Sequence, residues 1–283
     1  MSQDKTLKDK VAVITGSGNG IGREHALLFA KLGAKVVVND PGGSRDGSGS
    51  GDAADEVVKE LEALGAEAVA NKDPVGTLEN AEKIIGTATE HFGRIDILVN
   101  NAGILRDRTI LKMTPEEWYG VIEVHLHGTF TCLQVAAKKM VEQAQGGRII
   151  NTSSSSGLLG NFGQANYGAA KMGIHALTRI AAWELAKHQI TVNALAPAAL
   201  TRMTEDLPGM GASEDLGPEH IAPIVAFLAS DKGVRITGQT FGADGNHLMV
   251  YKMMTSHGAT KRWGKDPWTL DEIEGALQRI IDW

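Results

Sequence analysis

Thr15-Gly16-Ser17-Gly18-Asn19-Gly20-Ile21-Gly22 follows the apolar run Val11–Thr15 and opens a helical pattern. Glycines at such a turn let the backbone bend sharply, approach a pyrophosphate and set that anion on a helix N-terminus. The spacing is not G-x-G-x-x-G, because Ile21 stands where that fingerprint has its third glycine. What fits is T-G-x-x-x-G-x-G through Gly16, Gly20 and Gly22, with Asn19 and Ile21 between them.

Outward from this turn, short apolar runs alternate with longer amphipathic ones. Strands are expected at Val11–Thr15, Lys35–Asn39, Ala66–Ala70, Ile95–Asn100, Arg148–Thr152, Thr191–Ala196 and Thr240–Ala243. Several are almost wholly apolar, as strands covered on both faces are. Helical segments are expected at Asp52–Leu64, Leu78–Phe92, Pro115–Gln143, Asn166–Lys187 and Pro218–Leu228. This alternation predicts an α/β class chain. It reads as a single-domain Rossmann fold, a doubly wound parallel sheet of about seven strands with helices on both faces. That domain would take residues 1–245, and residues 246–283 would form a C-terminal extension packed on it. Ligands in such sheets bind beyond the carboxyl ends of the strands.

Composition narrows the partners. A net charge of −6 and a pI near 5.9 argue against nucleic acid. The single Cys132 excludes a disulfide within one chain and suits a reducing compartment. Met1–Lys10 is polar and Val11–Thr15 is too short for a signal core or a membrane span, so a cytoplasmic protein without membrane attachment is expected.

Asp40 ends the second strand at about the offset of a carboxylate that holds an adenosine ribose diol. Its charge opposes a 2′-phosphate and favours NAD over NADP. The plainer reading has it capping the turn before Pro41, and Arg45 is the feature that favours NADP. Tyr167 and Lys171 stand at i and i+4, on one helix face. An ammonium beside a phenol is expected to lower its pKa and make it a usable base. Alone, such a pair is most often surface decoration. Ser154, at the end of the fifth strand, adds a hydroxyl at the same edge, and Ser153, Ser155 and Ser156 are rivals for its place.

With these pieces assembled, residues 7–245 resemble the short-chain dehydrogenase/reductase family. The resemblance rests on Thr15–Gly22, Asn100-Asn101-Ala102-Gly103, Ser154 and Tyr167-x-x-x-Lys171, in that order. It implies a catalytic trio of Ser154, Tyr167 and Lys171. It also implies cofactor contacts from Gly16, Asn19, Gly20, Ile21, Asp40, Asp73, Pro74, Asn100, Ala102, Gly103, Tyr167, Lys171, Pro197 and Thr201. Asp73 would meet the adenine, Lys171 the nicotinamide ribose and Thr201 the carboxamide. The stretches Asn100–Arg108, Val124–Leu126, Gly160–Tyr167, and Lys261-Arg262-Trp263 to Asp282-Trp283 resemble the (3R)-hydroxyacyl-CoA dehydrogenase subgroup. That implies an acyl-CoA as small-molecule substrate, with a 17β-hydroxysteroid or steroid-CoA as rival, and a homodimer or homotetramer. A catalytically idle dinucleotide-binding partner subunit is the rival of another class. Two departures stand out: His125 where the family often has Asn, and Pro197-Ala198 where it often has Pro-Gly.

Other features have plain readings. His125 and His127 are two apart on a helix and make no metal clamp. Asn151-Thr152-Ser153 matches a glycosylation sequon on a strand expected to be buried. Lys252, Lys261, Arg262 and Lys265 form either a solvated face or a contact for coenzyme A phosphates. Arg106 and Arg108 are equally two-sided. Leu158, Leu159, Met203 and Leu207 are core or an acyl pocket.

Overall fold

The computed structural model describes residues 5–199, 216–245, 247–261 and 267–281. Eight strands are present: β1 Val11–Thr15, β2 Lys35–Asn39, β3 Ala68–Asn71, β4 Ile97–Asn100, β5 Gly147–Thr152, β6 Ile190–Ala198, β7 Thr240–Asp244 and β8 His247–Tyr251. They form one sheet in the order β3-β2-β1-β4-β5-β6-β7-β8. Every pair from β3 across to β7 is parallel. The expectation of about seven strands falls one short. His247–Tyr251 lies at the sheet edge and is largely exposed, so it carries none of the apolar alternation that marks a strand in sequence.

Helices α1 Gly20–Lys31, α2 Ala53–Ala63, α3 Leu78–Phe92, α4 Pro115–Ile122, α5 Gly128–Gln143, α6 Ser155–Leu159, α7 Ala165–Leu185 and α8 Ala222–Ala229 connect the strands. Strand β1 shows how the sheet is covered twice. Ala12 and Ile14 join one core cluster with Phe29 of α1, Leu61 of α2 and Val225 of α8. Val11 and Val13 join another with Ile84 of α3, Met140 of α5 and Ala182 of α7. Side chains that alternate along a strand must find apolar partners on both faces, which is why Val11–Ile14 is wholly apolar.

The long helix expected over Pro115–Gln143 forms as one helical run with a π-helical turn inside it. Thr114 and Glu117 begin it with a reciprocal capping box, and Glu123–His127 forms the π-helical turn that leads into α5. The chain divides into two compact units, Met1–Val250 and Tyr251–Trp283. The second holds α9, Leu270–Ile281, with Glu272 bonded to the Thr269 amide and paired to Lys261 at 2.6 Å. Among the described residues no helix is long and apolar enough to cross a membrane.

His25 of α1 sits in the core with no exposure and no partner for either ring nitrogen. Burial lowers its pKa to about 3. The unfolded chain therefore takes up a proton first as pH falls below about 6.5, and stability drains away over that window down to about 3. Denaturant melts of His25→Leu should lose less stability over this range than the wild type; an unchanged slope would show that His25 is not a source of acid lability.

Candidate active site

The strand order reverses between β1 and β4, and the two loops leaving that point are bolted together. Thr15 Oγ1 accepts the Asn101 amide at 3.0 Å and the Ala102 amide at 3.1 Å. Asn101 Nδ2 in return donates to the carbonyls of Thr15 and Gly16, both at 3.0 Å. Gly16, at φ +64, has no room for a side chain, since a Cβ there would lie 2.6 Å from Ala102 Cα. A Cβ at Gly18 would strike the Asp40 carboxylate at 2.8 Å, and one at Gly22 the Gly16 carbonyl. The Asn19 side chain does not cap the first turn of α1, and no acidic residue stands there. A turn stripped of side chains before an uncapped helix N-terminus fits a dinucleotide pyrophosphate.

Of the two readings weighed for Asp40, the turn cap is the one visible here. Its carboxylate accepts the Gly18 amide at 2.9 Å and the Gly42 amide at 2.7 Å, so it caps the turn and also sits against the glycine loop. At the end of β3, Asn39 Nδ2 donates to Asn71 Oδ1 and to the Asp73 carbonyl, both at 2.8 Å. Asn71 Nδ2 holds the Asp73 carboxylate at 2.9 Å. Exposed Pro74 follows. Asn100 turns its side chain inward instead, donating to Asn151 Oδ1 at 2.9 Å, and Asn151 donates to Thr178 at 2.9 Å. Pro197 lies on β6 in register with Ala243. Thr201, Met203, Leu207, Arg262 and Lys265 lie outside the described residues.

The chemistry gathers where β5 meets α7. Lys171 is 2% exposed and its Nζ donates to the Thr152 carbonyl at 2.6 Å. The same nitrogen stands 5.4 Å from the centre of the Tyr167 ring. The four serines separate cleanly. Ser153 Oγ is committed to the Lys171 carbonyl at 2.8 Å, Ser155 is exposed, and Ser154 stands where its hydroxyl favours the ionised Tyr167 phenol. Ser154 Oγ also accepts the Ser156 amide at 3.2 Å as the cap of α6.

One expectation is reversed. The Tyr167 phenol is pushed up to about 12 by burial, against which the Ser154 hydrogen bond acts in the lowering direction. Lys171 is pushed down to about 7 by the same cause. Sequence spacing brings the ammonium near the phenol but says nothing of the desolvation that penalises both charged forms. His125, in the π-helical turn, is 1% exposed and packs edge-on to Tyr167, with ring centres 5.1 Å apart. Its Nε2 lies 2.8 Å from the Ile104 carbonyl and 3.0 Å from the Ile104 amide nitrogen, and Nδ1 has no partner. Burial, then the Lys171 charge, lower its pKa to about 3, so the ring is neutral. Gly103 must be glycine because a Cβ there would collide with His125 Cε1.

Sequence reasoning gave no role of their own to Thr15, Asn101 or Asn166, and weighed Ser153 only as a rival to Ser154. Asn101 was visible within its motif, but its partners lie more than 80 positions away.

These assignments separate by mutation. Ser154→Ala should lower turnover roughly 100- to 1000-fold, as loss of a donor to a reacting oxygen does. Ser153→Ala should chiefly lower stability, by about 0.5–1.5 kcal/mol, since it removes one buried hydrogen bond from a carbonyl that keeps its helical partner. Steady-state rates and melts on both variants check this, and equal rate losses would undo the distinction.

Comparison with known proteins agrees with this geometry. The short chain dehydrogenase family model matches residues 10–209. The peroxisomal multifunctional enzyme type 2 of Drosophila melanogaster is 45% identical over 279 residues, 96% of this chain but 45% of that enzyme. A hydroxyacyl-CoA dehydrogenase of Mycobacterium tuberculosis is 42% identical over 248 residues, covering 83% of this chain and 77% of that protein. The crystal structure of a short chain dehydrogenase from Mycobacterium avium superposes with a TM-score of 0.85 at 41% identity, over 98% of this chain and 96% of that one. The turn at the switch point and the matched family model lead to one conclusion: this chain belongs to the short-chain dehydrogenase/reductase family, whose members are oxidoreductases acting on CH–OH groups.

Proposed function

We propose that this chain is an NAD-dependent dehydrogenase that interconverts a (3R)-3-hydroxyacyl-CoA and its 3-oxo form. The observation that carries the chemistry is Ser154 and Lys171 converging on one phenol at the carboxyl edge of the sheet. In the oxidising direction the alcohol C–H bond breaks with its electron pair and the O–H proton goes to Tyr167. In the reducing direction the same phenol returns the proton to the forming alkoxide. NAD+, when bound, supplies the hydride acceptor and a positive charge in the pocket. Ser154 holds the reacting oxygen, and Lys171 makes the ionised phenol less costly and grips the nicotinamide ribose.

The acidic Asp40, whose carboxylate lies against the glycine loop, supports NAD over NADP because its charge would repel a 2′-phosphate. Gly16, Asn19, Gly20 and Ile21 would hold the pyrophosphate, Asp73 and Pro74 the adenine, and Asn100, Ala102, Gly103, Pro197 and Thr201 the rest of the dinucleotide. Likeness to a named hydroxyacyl-CoA dehydrogenase over most of both chains supports the thioester substrate. Exposed Phe130 on α5 and Trp183 on α7 suit association with further copies of the chain.

Tyr167→Phe should lose most turnover while still quenching on NADH addition. Asp40→Ala should narrow the preference for NAD+ over NADP+ roughly tenfold or more. Assayed with (3R)- and (3S)-3-hydroxyacyl-CoAs and 17β-hydroxysteroids, the wild type should turn over the (3R) thioesters selectively. Activity on free steroids alone would remove the thioester assignment and leave the chemistry standing.

A further inference from the structure

Arg106 follows the β4 loop, half-buried, and its guanidinium is spoken for. Nε donates to the Asp46 carbonyl at 3.0 Å and Nη1 to the Glu116 carbonyl at 3.3 Å. Asp46 belongs to the Gly/Ser-rich loop behind Asp40, whose own carboxylate accepts from Ser44 and Ser48. A second bond between the same loops runs from the Leu105 amide to the Arg45 carbonyl at 3.0 Å. Space for the guanidinium is kept by Gly120, where a Cβ would lie 2.7 Å from Nη1.

The other end of Arg106 faces the catalytic helix. Its carbonyl accepts Asn166 Nδ2 at 2.9 Å, and the second hydrogen of that amide goes to the Glu117 carbonyl at 3.0 Å. Asn166 Oδ1 accepts the backbone amide of Tyr167 at 2.8 Å. Asn166 has no exposure, and all its bonding positions but one lone pair are used on these three partners. An unbroken path of hydrogen bonds through the covalent frames of Arg106 and Asn166 therefore joins the loop behind Asp40 to the amide of Tyr167. The Asn166 amide is buried and holds its partners in one geometry, while the Arg106 guanidinium reaches its two carbonyls at the surface.

We propose that Arg106 and Asn166 are positioning residues that clamp the adenosine-side loop to the first turn of α7, so that seating NAD against Asp40 also fixes Tyr167. This rests on the cofactor reading above. The test is hydrogen–deuterium exchange with and without saturating NADH, on wild type, Arg106→Ala and the milder Arg106→Gln. In wild type, NADH should slow exchange both in residues 40–52 and in residues 164–170. In the Arg106 variants the slowing over 40–52 should persist while that over 164–170 is lost, and kcat should fall roughly tenfold with a smaller change in the KM for NAD+. Equal slowing of both segments in the variants would overturn the clamp. No slowing anywhere in wild type would overturn the NAD reading itself, and the clamp with it.

Discussion

An ammonium buried to 2% exposure beside a phenol is expensive, and the surrounding structure is arranged around tolerating it. Lys171 Nζ donates to the Thr152 carbonyl, at the last residue of β5. The next residue, Ser153, uses its hydroxyl on the Lys171 carbonyl, and the one after favours the ionised Tyr167 phenol. Three consecutive residues at one strand end thus register the catalytic helix against the sheet. Neither charged form is favoured in this pocket. Neutral phenol suits carbonyl reduction, and alcohol oxidation needs compensating positive charge brought in with the substrate pair.

His125 belongs to the same economy. An imidazole that titrates near neutrality would add charge next to Lys171; burial keeps it neutral, and it serves as a wedge between Gly103, Ile104 and the Tyr167 ring. The π-helical turn at Glu123–His127 is where this ring leaves the helix, consistent with such turns clustering at functional sites. The side chain here braces, where an Asn in the family would present an amide.

Much of this was legible in the sequence, for physical reasons. Parallel strands covered on both faces must be apolar, so β1, β2 and β5 announce themselves, and a turn that a pyrophosphate approaches must be glycine. What was hidden depends on distant neighbours. Nothing local shows that Asn101 reaches back to Thr15 and Gly16, or that Asn166 joins two loops to Tyr167. The π-helical turn inside the helix expected over Pro115–Gln143 contains no proline or glycine that would mark it in the sequence. Strand β8 is an exposed edge without alternation. The direction of the Tyr167 shift required knowing how deeply both partners are buried, which i, i+4 spacing does not report.

The most direct measurement is an ultraviolet titration of tyrosinate, wild type minus Tyr167→Phe, with and without saturating NAD+. Without the dinucleotide the Tyr167 phenol should ionise near 12, as its burial dictates. With NAD+ bound it should ionise at distinctly lower pH, because the added positive charge offsets the desolvation that holds the proton on. An ionisation unmoved by NAD+ would contradict the assignment of Tyr167 as the proton-transferring residue of an NAD-dependent dehydrogenase.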